Sequence, residues 1–290
     1  MLLTLLIKIK KDQFAHHIQY KNMICLILGD TDFSNKVLED IRKKKIAYFI
    51  IDLSKKNSFK NEKNSNRISI GQFGKMIKLM KLHKCKKVLF AGKINKPKLS
   101  SLRMDIKGFI YLPKIVKAAK LGDAAIIKVI VNILKEEKIN VINATTFSPE
   151  LSLNKGNYSK IKPNKNDVFD IIKGKKYLKK LNAHNHVQGL VIRNGKIIKT
   201  ETSAGTKKML QTIKPTMVKE GILIKLPKSK QDLRIDLPTI GLDTFVDCLR
   251  AGLKGVVLRH KQNIFLDKKK CIQFANKNKI FINIIWRKYL

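Results

Sequence analysis

Met23-Ile24-Cys25-Leu26-Ile27-Leu28-Gly29 is a short apolar run that stops at a glycine. Six consecutive apolar residues without alternation read as a strand buried on both faces, as in a parallel sheet. The period then changes. Phe33, Val37, Leu38 and Ile41 recur at helical spacing within residues 33–44. Ile46 to Leu53 reads as a second strand, Ser54 to Arg67 as a polar Asn/Lys-rich loop, and Gly71 to His83 as a helix aligning Phe73, Ile77 and Met80. Val88 to Ala91 is a third strand, ending in Gly92-Lys93. Helices over 106–120 and 122–137 and a strand over Asn140–Asn143 complete the series. Strands alternating with helices at this spacing predict a Rossmann-like parallel sheet. Ligands of such sheets sit at the carboxyl ends of strands, where Gly29 and Gly92 fall.

The pattern lapses around Phe147–Pro163, which contains Pro149, Gly156 and Pro163. This places a domain boundary between residues 148 and 149. A helix is expected over Asn164–Leu181, then strands Val187–Ile192 and Lys196–Thr202 around Asn194-Gly195, a strong two-residue hairpin signal. Gly205–Ile213 reads as a short helix and Gly221–Leu226 as a strand. Asp243 or Thr244 is positioned to cap a helix that runs to Arg250 and stops at Gly252. Val256–Leu258, a helix Asp267–Lys277 and Ile280–Ile285 close a second, mixed α/β domain over 149–290. Ahead of the first strand, residues 1–22 begin apolar but turn to Lys8, Lys10, Lys11 and Asp12 without a small-residue cleavage site. Met23 directly precedes the first strand, so 1–22 reads as an upstream extension without a stable fold.

The chain has 290 residues, 44% hydrophobic, enough for two ordinary domains. Its formal net charge is +41, carried by 54 Lys and only eight Arg. Phosphate and base readout favours the bidentate Arg fork, and the lysines are spread evenly from Lys8 to Lys288. That fits a proteome-wide Lys/Ile/Asn bias better than a nucleic-acid footprint, although the charge still attracts anionic lipid surfaces and phosphorylated substrates. Cys25, Cys85, Cys248 and Cys271 show no CxxC spacing, which argues against a disulfide framework and for a reduced, cytoplasmic compartment. No apolar run reaches bilayer-spanning length.

Against this basic background, Gln231-Asp232-Leu233-Arg234-Ile235-Asp236-Leu237-Pro238-Thr239-Ile240-Gly241 concentrates acids, with Asp243 and Asp247 close behind. On an extended segment, residues at i, i+2 and i+4 share one side. Asp232 and Asp236 would then face one hard cation while Arg234 clamps a phosphate. The alternative, of equal weight, is an Asp–Arg–Asp ion-paired cluster that orders a turn.

The remaining candidates carry the same duality. Glu201 is a further ligand or general base, or a solvated acid. Lys225 binds phosphate, or is one lysine among 54. Gly92-Lys93 offers backbone N–H and a cation to an anionic headgroup, or is an ordinary turn. Gln188 hydrogen-bonds a sugar or phosphate, or is a polar strand residue. Asp123 belongs to a site, or caps the helix after Gly122. The apolar residues Ile106, Phe109, Ile110, Leu112, Ile115 and Val116 line a cleft, or pack a core. His184 and His186 straddle Asn185 without a third ligand.

Several segments together resemble one family. They are Gly71-Gln72-Phe73-Gly74; Phe90-Ala91-Gly92-Lys93 with Pro97; Leu121-Gly122-Asp123; Val187-Gln188; and Glu201 with Gly205-Thr206 and Met209-Leu210. Gly221 to Lys225, Gln231 to Gly241 and Ala251 to Gly255 complete the match. These resemble the LpxI-type UDP-2,3-diacylglucosamine pyrophosphatases over Met23 to Ile285. The resemblance implies a cytoplasmic, Mg²⁺-dependent hydrolase of lipid A biosynthesis, and the basic charge leaves peripheral contact with the inner membrane surface open. It cleaves UDP-2,3-diacylglucosamine to UMP and 2,3-diacylglucosamine 1-phosphate, with water attacking the β-phosphorus and the lipid held between an N-terminal Rossmann-like domain and a C-terminal α/β domain. Carried onto this chain, it implies catalytic Asp232, Asp236 and Glu201, with Asp232 and Asp236 on the metal. Gly29, Gly92, Lys93, Asp123, Gln188, Thr206, Lys225 and Arg234 would bind substrate.

The chain departs from the family pattern in three places. Gly29-Asp30-Thr31 lacks the usual second glycine, Ala124 stands where a second acid is usual, and Lys207 follows Gly205-Thr206 where an Asp is usual. Two rival functions are a nucleotide-cofactor oxidoreductase and a Lys-rich nucleic-acid-binding protein. The first lacks the paired glycines of a dinucleotide loop, and the second lacks clustered charge.

Overall fold

A computed structural model describes residues 23–94, 102–184, 187–228 and 231–286, with only the backbone of 182–184. The extension 1–22, Pro97 and the His184/His186 pair of side chains lie outside what is described. The chain divides into two compact units between Ser148 and Pro149.

The first unit is built on β1 (Ile24–Leu28), α1 (Asp32–Lys43), β2 (Tyr48–Asp52), β3 (Ser65–Arg67), α2 (Phe73–Leu82), β4 (Lys87–Ala91), α3 (Ile106–Ala119), α4 (Asp123–Glu136) and β5 (Asn140–Ile142). Its strands pair in parallel in the order β3-β2-β1-β4-β5. All of β1 is buried, which explains its unbroken apolar run. The loop expected over Ser54–Arg67 ends instead in β3. Ser65, Asn66 and Arg67 pair with Ile50, Ile51 and Asp52 at the sheet edge, where backbone bonds suffice and no apolar period is needed.

Strand order reverses between β1 and β4, so their carboxyl ends form the switch point. Here the backbone closes on itself. Gly29 N donates to Ala91 O (2.9 Å), Asp30 N to Lys93 O (2.9 Å) and Lys93 N to Asp30 O (2.7 Å). Ser34 Oγ adds bonds to the carbonyls of Gly29 and Ala91. A Cβ at Gly29 would stand 2.4 Å from Lys93 O, and one at Gly92 would stand 2.1 Å from Ser34 Oγ. Both glycines therefore permit close approach of backbone. A dinucleotide loop needs free N–H groups there, and these three are spent.

The second unit comprises β6 (Gly156–Asn157), α5 (Lys165–His184), β7 (Gly189–Arg193), β8 (Lys196–Thr200), α6 (Gly205–Gln211), β9 (Ile222–Lys225), β10 (Thr239–Ile240), α7 (Leu242–Arg250), β11 (Gly255–Arg259), β12 (Ile264–Phe265), α8 (Lys268–Lys277) and β13 (Phe281–Ile285). Its main sheet, ordered β6-β13-β11-β9-β7-β8, is parallel at its centre and antiparallel at both flanks. Asn194-Gly195 makes the predicted hairpin turn, both residues having positive φ (47° and 75°). The helix expected to be capped by Asp243 or Thr244 starts earlier: Gly241 is its N-cap and Asp243 lies in the first turn.

This sheet is covered on both faces. Leu190, Ile192, Ile222 and Ile224 pack with Ile171 and Leu178 of α5. Val191, Leu223, Val256 and Ile282 pack with Leu210, Phe245, Cys248 and Cys271 from α6, α7 and α8. Strand alternation thus divides the apolar residues of β7 and β9 between two cores.

Candidate active site

β7 and β9 run antiparallel with Gly189 opposite Lys225 and Val191 opposite Leu223. Gly189 and Lys225 therefore share the face covered by α6, α7 and α8. Lys225 is the last residue of β9 and is 7% exposed. Its ammonium donates to the carbonyl of Thr239 at 3.1 Å. Burial pushes its pKa below the ordinary lysine value, against the opposing pull of Glu201 and Asp236. These two carboxylates are thus the acids that act electrostatically on the buried cation.

Glu201 follows β8, and its backbone N–H donates to Gly189 O at 2.8 Å. It is 7% exposed, so it is not the solvated acid allowed by sequence. Thr206, buried at the start of α6, donates Oγ1–H to Glu201 Oε1 at 2.8 Å. Among the described residues the other oxygen, Oε2, has no hydrogen-bond partner. A buried carboxylate oxygen without a donor is costly in a merely structural role. The absent Cβ of Gly189 makes room for this oxygen, since a Cβ there would stand 2.8 Å from it.

Residues 232–236 form a turn ahead of β10, which corrects the extended geometry. Ile235 N and Asp236 N both donate to Asp232 O (3.1 and 3.0 Å). Arg234 turns back on Asp232, with Nε donating to Oδ1 at 2.9 Å, Nη2 to Oδ2 at 2.6 Å and the backbone N to Oδ1 at 3.0 Å. The guanidinium holds Asp232 below its usual pKa, and Arg234 is raised in turn. This is the turn-ordering ion pair weighed as the alternative. The sheet-side acid of the stretch is Asp236, which acts on Lys225.

Other predicted residues are placed as follows. Lys93 spends its backbone N–H on Asp30 O. Asp123 is not the cap of α4; that residue is Gly122 (φ 98°), and Asp123 stands first in the helix, where its charge suits the dipole. Gln188 lies across from Leu226, whose N–H bonds its carbonyl, so alternation turns it away from Lys225. Its Oε1 is buried and has no hydrogen-bond partner among the described residues. Lys207 is exposed, one residue beyond buried Thr206.

Two groups escaped the sequence reading. Thr239 contributes its carbonyl, for which no side-chain signal exists. Gln231 is buried, its Oε1 accepts from Lys228 N at 2.8 Å, and its Nε2 has no partner among the described residues. The signal for Gln231 was its place at the head of the acidic stretch.

Among the described residues no three His, Cys, Asp or Glu side chains gather into a metal-holding group. A magnesium ion needs only one or two carboxylates, with water and substrate phosphate completing its shell. Glu201 and Asp236 fit that demand, being hard oxygen donors, and Glu201 Oε2 has no hydrogen-bond partner among the described residues. Asp232 carries the Arg234 fork on its two oxygens, so a cation there would share them with a guanidinium.

The chain is an α/β hydrolase of two compact units. Residues 23–151 match the LpxI N-terminal domain and residues 154–283 the LpxI C-terminal domain. The UDP-2,3-diacylglucosamine pyrophosphatase LpxI of Caulobacter vibrioides (strain ATCC 19089 / CIP 103742 / CB 15) is 30% identical over 223 residues, covering 74% of this chain and 80% of that protein. The chain belongs to the LpxI family.

Proposed function

We propose that this protein hydrolyses the diphosphate of UDP-2,3-diacylglucosamine, giving UMP and 2,3-diacylglucosamine 1-phosphate for lipid A synthesis. The observation that carries the reading is the buried Lys225 under the electrostatic pull of Glu201 and Asp236, with Glu201 Oε2 unpartnered among the described residues, inside the segment that matches the LpxI C-terminal domain.

A diphosphate repels nucleophiles because its oxygens are anionic. Lys225, fixed by Thr239 O in a low-dielectric setting, neutralises one such oxygen without reorganising. Glu201 Oε2 takes the proton of the attacking water, while Thr206 holds Oε1. The water oxygen bonds phosphorus as the bridging P–O bond breaks, and the leaving phosphate carries the displaced electron pair. Glu201 and Asp236 would hold Mg²⁺, which when bound supplies further charge neutralisation and acidifies water.

Among the described residues no helix is long and apolar enough to cross a membrane. The reading is tested by incubating pure protein with UDP-2,3-diacylglucosamine and Mg²⁺, with and without chelator. Chelator-sensitive UMP release supports it, and no release sinks it.

A further inference from the structure

The sequence left the apolar residues of α3 to a cleft or a core. The structure divides them: Ile106, Phe109 and Ile110 are 80%, 59% and 63% exposed, Pro113 and Val116 are exposed too, and Leu112 and Ile115 are half-buried. Only Gly108 and Ala118 of this helix are buried. The exposed apolar positions recur at three- and four-residue spacing, so they form one stripe. Leu121, also exposed, extends it past the helix end.

The charge around the stripe has one sign. Residues 106–122 contain no Asp or Glu. Lys117 and Lys120 follow the stripe on the same side, Lys114 borders it, and all three are exposed. The fourth lysine, Lys107, lies on the same flank as Lys114, one heptad before it, and pairs with Glu137. The N-cap Asp105 is occupied by backbone N–H groups. Among the described residues no acid pairs with Lys114, Lys117 or Lys120.

We propose that α3 is a membrane-surface docking helix, which seats its apolar stripe at the acyl boundary of an anionic bilayer while Lys114, Lys117 and Lys120 bind lipid phosphates. An exposed apolar band bordered by lysines and free of acids is complementary to such a surface. Fourteen helical residues span about 21 Å, too short to cross a bilayer but long enough to lie along one. This inference does not depend on the reaction proposed above.

The test is co-sedimentation of the purified full chain with vesicles of phosphatidylglycerol and phosphatidylethanolamine, beside vesicles of phosphatidylcholine alone. The expected result is salt-sensitive binding to the anionic vesicles. The Lys114→Gln/Lys117→Gln/Lys120→Gln variant should bind on the order of a hundred-fold more weakly, and Phe109→Ser/Ile110→Ser about ten-fold or more. All five side chains are exposed, so circular dichroism should show both variants folded. The lysine variant should still turn over detergent-dispersed substrate. The proposal is overturned by absent or lipid-indifferent binding, or by variants that bind like wild type. It is also overturned if the stripe variant leaves binding intact but raises KM, which would give the stripe to substrate acyl chains. A dimer that the stripe variant dissociates, without vesicle binding, would give it to a second copy.

Discussion

Thr206 Oγ1 donates to Oε1 of Glu201 at 2.8 Å, and this bond decides which carboxylate oxygen remains for chemistry. The spare oxygen, Oε2, lies against the place where Gly189 lacks a Cβ. A glycine in a strand ordinarily weakens it, so its presence in β7 is explained by the acid it admits.

Gly189→Ala should therefore separate activity from stability. The new methyl meets only the end of a flexible side chain, and Gly189 is not among the glycines with positive φ. Unfolding free energy should stay within about 1 kcal/mol of wild type. UMP release should fall about ten-fold or more, because Glu201 must move. Urea unfolding beside kcat decides this, and an unchanged kcat would remove Glu201 Oε2 from the mechanism.

Burial lowers the pKa of Lys225, while the proposed role needs the ammonium. Activity should thus decline as pH rises through a value below the ordinary 10.5 for lysine. Lys225→Arg, which keeps its charge at any working pH, should shift that limb upward even where kcat falls. Stability runs the other way. The unfolded chain binds the Lys225 proton more tightly than the fold does, so this residue adds stability as pH climbs through the same window. A pH–kcat/KM profile with the same alkaline limb in both proteins would sink the assignment.

How much of this was legible in sequence varies with the physics of each element. The apolar run of β1 and the helical spacing of α1 are two-state signals, and both elements appear at the expected positions. The edge strand β3 was invisible because its pairing is made by backbone alone. Asp232 to Asp236 could be read as strand or turn, since i and i+4 carboxylates share a side in either, and only the Arg234 fork distinguishes them. Lys225 stood out among 54 lysines only by motif, because burial is a property of the sheet register opposite Gly189. The exposure of α3 was likewise unreadable, as an apolar stripe looks the same whether it faces a core or solvent.

Asp105 caps α3 and at the same time accepts from the N–H groups of Gly74 and Lys75 at the start of α2 (3.0 and 2.8 Å), besides that of Gly108 (2.8 Å). Burial pushes its pKa up, but the Lys75, Gly108 and Gly74 N–H groups outweigh this and hold it below the ordinary value. One carboxylate thus satisfies two helix starts. Asp105→Ala should cost about 2 kcal/mol, roughly two caps, and Asp105→Asn less. The contribution of the charge is present above the unfolded pKa and fades as pH falls through the folded one. Denaturant melts at neutral and acidic pH check this, and equal stability of Asp105→Ala and wild type would show that water replaces the carboxylate.

Asp232 and Asp236 should respond differently to neutralisation. The Arg234 fork occupies Asp232, so Asp232→Asn should loosen the turn and free a guanidinium without removing a metal ligand. Asp236 acts on Lys225 beside Glu201, so Asp236→Asn should weaken divalent-ion binding about ten-fold or more, in line with the loss of a carboxylate from a two-carboxylate site. Titration with Mn²⁺, followed by electron paramagnetic resonance without substrate, reads binding apart from turnover. Wild-type affinity in Asp236→Asn together with lost affinity in Asp232→Asn would return the metal to Asp232 and require Arg234 to swing away from it.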